Sequence, residues 1–117
     1  ILEDKNGAIW FGTWGGGASR YNGADFRTFT TNDRLGSNDV WSLSEDRLGN
    51  IWMGTLGGGV SKFNGTLFET FTEKDGLTKN HVQSILQDKK GDMWFGFSGG
   101  VFRLHGGVLK NFRRGGC

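Results

Sequence analysis

The 117-residue sequence has no proline and one cysteine, and no apolar run approaches the ~20 residues of a membrane-spanning helix. Collagen is excluded, because proline is missing and glycine does not recur every third residue. Cys117, the last residue, has no partner for an internal disulfide and so says nothing of redox compartment. Excess charge of one sign is also lacking: 14 Lys and Arg stand against 12 Asp and Glu, a formal +2. That balance argues against a nucleic-acid or membrane surface. Residues 1–100 hold ten basic and twelve acidic groups, while Arg103, Lys110, Arg113 and Arg114 give the end of the chain a small basic excess, expected to be a solvated edge. No segment carries an i, i+3, i+4, i+7 apolar stripe long enough for an α-helix. No signal-peptide pattern opens the sequence, which begins at Ile1 rather than Met.

Glycine and aromatics are abundant: 22 Gly with ten Phe, five Trp and one Tyr. Disordered Gly-rich chains rarely carry so many rings, and the combination points to short strands joined by tight turns. The pattern is periodic. Asp4, Asp46 and Asp88 are 42 residues apart, as are Trp10, Trp52 and Trp94, and Gly12, Gly54 and Gly96. Between residues 4–45 and 46–87, 21 of 42 positions are identical without a gap. The third copy loses one glycine after Phe97 and continues at a spacing of 41.

Each unit contains four β-rich runs, which in the middle copy are Val40–Asp46, Asn50–Leu56, Gly59–Asn64 and Leu67–Thr72. The Asn22-Gly23 and Asn64-Gly65 pairs predict two-residue type I′ hairpins. Four antiparallel strands in about 42 residues make one β-propeller blade. The predicted fold is therefore all-β: about three four-stranded blades, approximately 1–31, 39–73 and 81–113, forming one propeller segment. Propellers close with at least about four blades. The segment is thus expected to be part of a larger ring, or to close one by oligomerising.

The middle copy reads Glu45-Asp46-Arg47-Leu48-Gly49-Asn50-Ile51-Trp52-Met53-Gly54-Thr55, then Gly57-Gly58-Gly59-Val60-Ser61-Lys62-Phe63-Asn64-Gly65. With Asp75-Gly76-Leu77 and Asn80-His81-Val82-Gln83-Ser84-Ile85, it resembles the two-component regulator propeller repeat. The resemblance covers nearly the whole chain. It implies a seven-bladed propeller in the periplasmic sensor region of a bacterial hybrid histidine kinase, a non-catalytic role and an oligosaccharide ligand. No cofactor is expected. No kinase, receiver or DNA-binding segment accompanies the repeats, so this chain alone would not carry a phosphorelay.

Residues shared by every copy are read as scaffold. Asp4, Asp46 and Asp88 each precede a glycine by three, where a short carboxylate bonds turn N–H groups. The Trp of each copy lies mid-strand and is expected between blades. The Gly-Gly-Gly runs lead into another strand rather than a helix, which excludes a phosphate loop and suits a tight connection or bulge. Calcium-loop spacing is missing. His81 and His105 occupy non-equivalent positions without ligand-spaced partners, and no Ser–His–acid set recurs. No catalytic residue and no metal site follow.

A site is then sought among the positions that vary between copies, on the face shared by the loops after the second and fourth strands. These loops are 14–17, 56–59 and 97–100, with the links 31–39 and 73–81. Trp14, Arg34, Asp39, Trp41, Lys79 and His81 form the candidate set: aromatic faces for sugar C–H surfaces, polar groups for hydroxyls. The expected partners are an oligosaccharide or other small molecule, and further blades or a second copy of the chain. An alternative function is a lectin-like protein whose two copies close a six-bladed ring. Neither nucleic acid nor membrane contact by this segment is expected.

Overall fold

A computed structural model of the protein describes residues 1–72, 81–97 and 100–112. It contains three four-stranded antiparallel sheets. The first holds β1 (Leu2–Glu3), β2 (Ile9–Gly12), β3 (Ala18–Tyr21) and β4 (Phe26–Phe29). The second holds β5 (Val40–Glu45), β6 (Ile51–Thr55), β7 (Val60–Phe63) and β8 (Phe68–Phe71). The third holds β9 (Ser84–Gln87), β10 (Met93–Phe97), β11 (Gly100–His105) and β12 (Val108–Phe112). Each sheet is an up-and-down meander in chain order, the form of a propeller blade. Consecutive blades lie with their inner strands side by side, β1 and β2 against β5, and β5 and β6 against β9.

Strand alternation divides the core into two inter-blade layers. Side chains of a strand point alternately to its two faces. In β6, Ile51 and Met53 therefore join Trp10, Ala18 and Phe29 of the first blade, while Trp52 joins Phe95 and Phe102 of the third. All five β6 residues are buried, because this strand is covered on both faces. Trp10 stacks on Phe29 at 5.6 Å, and Trp52 stacks on Phe71 at 5.9 Å, so the same ring pair repeats at both joints. Burying each such large side chain stabilises by roughly 1.5–3 kcal/mol.

The two Asn-Gly turns differ from the expectation. Tyr21 pairs with Phe26 and Phe63 with Phe68, leaving four-residue loops rather than two. Gly23 and Gly65 have positive φ, but Asn22 and Asn64 do not. The asparagine instead folds its side chain inward: Asn22 Oδ1 accepts from the Ala24 and Asp25 N–H groups, and Asn64 Oδ1 from those of Thr66 and Leu67. An Asx cap has displaced the type I′ turn. The third blade, where His105 replaces this asparagine, has the two-residue hairpin, with Gly106 and Gly107 at φ 56° and 81°.

No α-helix occurs among the described residues. A 3₁₀ turn, Thr31–Asp33, interrupts the link between the first two blades. It is held by a capping box in which Thr30 Oγ1 accepts from Asn32 N–H and Asp33 accepts from Thr30 N–H.

Candidate functional site

The site face is assembled by backbone hydrogen bonds between blades. Val40 N–H donates to Thr13 O at 2.8 Å, and Gly17 N–H to Asn38 O at 2.8 Å. Leu56 N–H donates to Asp39 O at 2.9 Å, and Val82 N–H to Thr55 O at 2.9 Å. The link after the first blade is thereby seated against the loops that follow β2 and β6. Repeated glycines allow the approach. A Cβ on Gly12 would lie 3.0 Å from Val40 O, and one on its equivalent Gly54 would lie 2.7 Å from Val82 O.

Trp14 and Trp41 come together on this face. Their rings stack at 5.9 Å and 19°, with Trp14 71% exposed and Trp41 half-buried beneath it. The cause is a β-bulge. Val40 pairs with Thr55 and Ser42 with Gly54, so Trp41 is the extra residue of β5. Such bulges re-aim a side chain out of the sheet's alternation. Trp41 Nε1 and Ser42 Oγ are both buried without a hydrogen-bond partner.

Asp39 and His81 border the same strip. Asp39 is half-buried, its N–H donates to Ser37 Oγ at 3.1 Å, and its carbonyl holds Leu56. Leu56 in turn forms an antiparallel bridge with the exposed His81. Leu56 was not among the sequence candidates, although its equivalence to Trp14 marked it as a varying position. Arg34 is exposed at the end of the 3₁₀ turn with φ 76°, a non-glycine residue in the left-handed region. No described contact ties it to the tryptophan pair. Lys79 lies outside the described residues, as does the link 73–80.

The repeated aspartates do more than cap turns. Asp46 Oδ1 accepts from Leu48 and Asn50 N–H, while Oδ2 accepts from Asn50 Nδ2 and, at 2.8 Å, from the Trp52 indole. Asp4 holds Trp10 at 2.9 Å, and Asp88 holds Trp94 at 2.7 Å. Burial pushes the Asp46 carboxyl up, but its bonds from Trp52, Asn50 and Leu48 outweigh that and hold it below its ordinary range. The Trp94 indole, with three backbone N–H groups, likewise holds the Asp88 carboxyl low against its desolvation. The spacing Asp-x₅-Trp was visible in all three copies, but only the hairpin geometry shows that it closes.

Opposite the site face, a cleft of about 480 Å³ is lined by Asp88, Lys89, Lys90, Asp92, Trp94, Arg103 and His105. His105 Nδ1 lies 2.6 Å from Asp92 Oδ1. Among the described residues, no group of three or more His, Cys, Asp or Glu side chains could hold a metal ion. No helix among them is long and apolar enough to cross a membrane.

Three sequential meanders stacked through inter-blade tryptophans define a segment of a β-propeller. The chain belongs to the two component regulator propeller family, whose model matches residues 1–15, 34–57 and 76–99, more than half of the sequence. No curated protein matches it. Among solved structures it is similar to the extracellular domain of BT3049 from B. thetaiotaomicron, described as a hybrid two component system. The identity is 26% and the TM-score 0.86, over 97% of this chain and 16% of that one. It is also similar in fold to the extracellular domain of BT4673 from the same organism, with 20% identity and a TM-score of 0.83 over 97% of this chain and 18% of that one. The chain thus spans under a fifth of the proteins it resembles in structure.

Proposed function

We propose that the chain is a non-catalytic, ligand-sensing part of an extracellular two-component sensor propeller, acting in the periplasm, and that its ligand is an oligosaccharide. The carrying observation is the Trp14–Trp41 stack, which a bulge turns out of β5 onto a loop face. An exposed indole backed by a second, packed indole is a rigid apolar platform matching the C–H face of a pyranose ring. Asp39 and His81, on the same strip, supply polar groups for hydroxyls, and Arg34 and Lys79 complete the proposed set. Family membership and the extracellular-domain neighbours support the sensor part of this reading.

Calorimetric titration against a panel of neutral and acidic oligosaccharides tests it. Saturable binding is expected for at least one member, with the sugar recovered unchanged. Trp41→Ala and Trp14→Ala should each weaken it about tenfold or more, and Arg34→Ala several-fold. Trp14→Ala should leave folding stability within about 0.5 kcal/mol, since that ring is mostly in solvent. Binding that survives both tryptophan substitutions would move the site elsewhere.

A further inference from the structure

The joint that carries the tryptophan pair repeats one blade on, with different chemistry. At the first joint the loop after β2 supplies Trp14, the link into β5 supplies Asp39, and β5 supplies Trp41. One 42-residue period later the same positions hold Leu56, His81 and Gln83. The backbone keeps the same frame there. Val82 N–H donates to Thr55 O at 2.9 Å, as Val40 N–H does to Thr13 O at 2.8 Å. Ser84 pairs with Gly96 as Ser42 does with Gly54, and Gln83 N–H donates to Gly96 O at 2.8 Å. Gln83 therefore stands ahead of the regular pairing, where the bulge of β5 places Trp41. Gln83 and His81 are exposed, and Leu56 is half-buried.

The two joints form one continuous strip. Thr55 and Leu56 are adjacent in the chain, so their Cα atoms are about 3.8 Å apart. Leu56 N–H holds Asp39 O of the first joint, and Thr55 O holds Val82 N–H of the second. Leu56 also bridges to His81, whose ring lies beside Gly57, with Cε1 3.9 Å from where a Cβ would stand. Both joints lie between successive blades of the segment, and neither uses its outer faces. A glycan that leaves the tryptophan platform on the Asp39 side passes over Leu56, His81 and Gln83. Leu56 offers an apolar floor without a ring. The Gln83 amide carries two donors and an acceptor, and a neutral imidazole one of each, which complements neighbouring hydroxyls. Stacked indoles accept the C–H face of many sugars, whereas a hydrogen-bonding site rejects a unit whose hydroxyls do not match.

We infer that the second joint is a second sugar subsite: Trp14 and Trp41 anchor one ring, while Leu56, His81 and Gln83 take the next unit and read its hydroxyls. The inference rests on the oligosaccharide reading of this face. It adds a ligand of at least two units and makes Gln83 a specificity-determining residue.

Proton–nitrogen correlation NMR of the labelled chain tests this, with sugar series of one to six units prepared from starch, xylan, mannan and polygalacturonate. The Trp14 and Trp41 indole signals report the first joint, and the Gln83 side-chain amide reports the second. In the series that binds, the single sugar should shift the indoles alone. The two-unit sugar should shift the Gln83 amide as well and bind about 5- to 20-fold more tightly. Gln83→Ala should remove about 3- to 10-fold of that gain and leave single-sugar affinity within about twofold. Gln83 is on the surface, so its truncation leaves the core intact. Leu56→Trp with Gln83→Trp, which copies the ring pair of the first joint, should bind two-unit sugars tightly but discriminate less between epimers. Shifts confined to the indoles at every chain length, or affinity that stops rising after one unit, would overturn the second subsite and leave the tryptophan platform standing. Indoles that respond to no member of any series would overturn both.

Discussion

At the residue scale, one carboxylate organises each blade's first hairpin and pins the tryptophan that builds the next joint. Asp46 is the most demanding case, because both it and Trp52 are buried. Asp46→Ala strands the indole N–H and the Asn50 amide, and should cost about 2–3 kcal/mol in urea denaturation. The same carboxylates set the acid limit. Asp46 and Asp88 are held low in the folded chain. A depressed folded value contributes stability that is full above the unfolded value near 3.8 and is lost as pH falls through the folded one. The urea midpoint should accordingly be insensitive to these groups from pH 7 to about 5 and fall below about pH 4. In Asp46→Asn that acid-side slope should be shallower. An equal slope in the variant would show that other carboxylates dominate.

At the element scale, the glycine runs after β2 and β6 are a geometric requirement. Gly59 has φ 76°, and a Cβ there would lie 2.0 Å from Phe71 O. Gly17 repeats this, with φ 78° and 2.1 Å from Phe29 O. Gly15 has a similar φ of 84° but open space around its Cβ position. The pair separates two effects that the sequence merges. Gly15→Ala should cost about 1–2 kcal/mol, for left-handed backbone alone, while Gly59→Ala should cost about 3 kcal/mol or more, since the outer strand must also move. Similar losses at the two sites in chemical denaturation would refute the close-approach argument. The Asn-Gly turns carry the opposite lesson: a two-residue signal with a strong hairpin preference gave way to side-chain capping of a longer loop.

At the scale of the whole molecule, stability is graded by coverage. The middle blade is flanked on both sides, and β6 is buried throughout. Phe26, Arg27 and Thr28 of β4 face solvent. In native-state hydrogen exchange the Ile51–Thr55 amides should be slowest and those of β4 much faster, as local opening follows buried contact. Equal protection of β4 and β6 would mean that the blades open only together.

The blade count, the strand order and the two-faced core were legible in the sequence, because a 42-residue repeat with alternating apolar residues admits few other ways to bury Trp10 and Trp52. The scaffold role of the aspartates was legible too, as far as their turns. The candidate site was legible only as a face: variable loops pointed to Trp14, Arg34, Asp39, Trp41, Lys79 and His81 without saying which would meet. Tertiary structure decided that. A single unpaired residue in β5 turned Trp41 onto Trp14, and inter-blade backbone bonds set Leu56 between Asp39 and His81. Periodicity specifies which way a side chain faces within a strand. A bulge breaks that rule, and contacts between blades depend on how sheets stack, which no local pattern encodes.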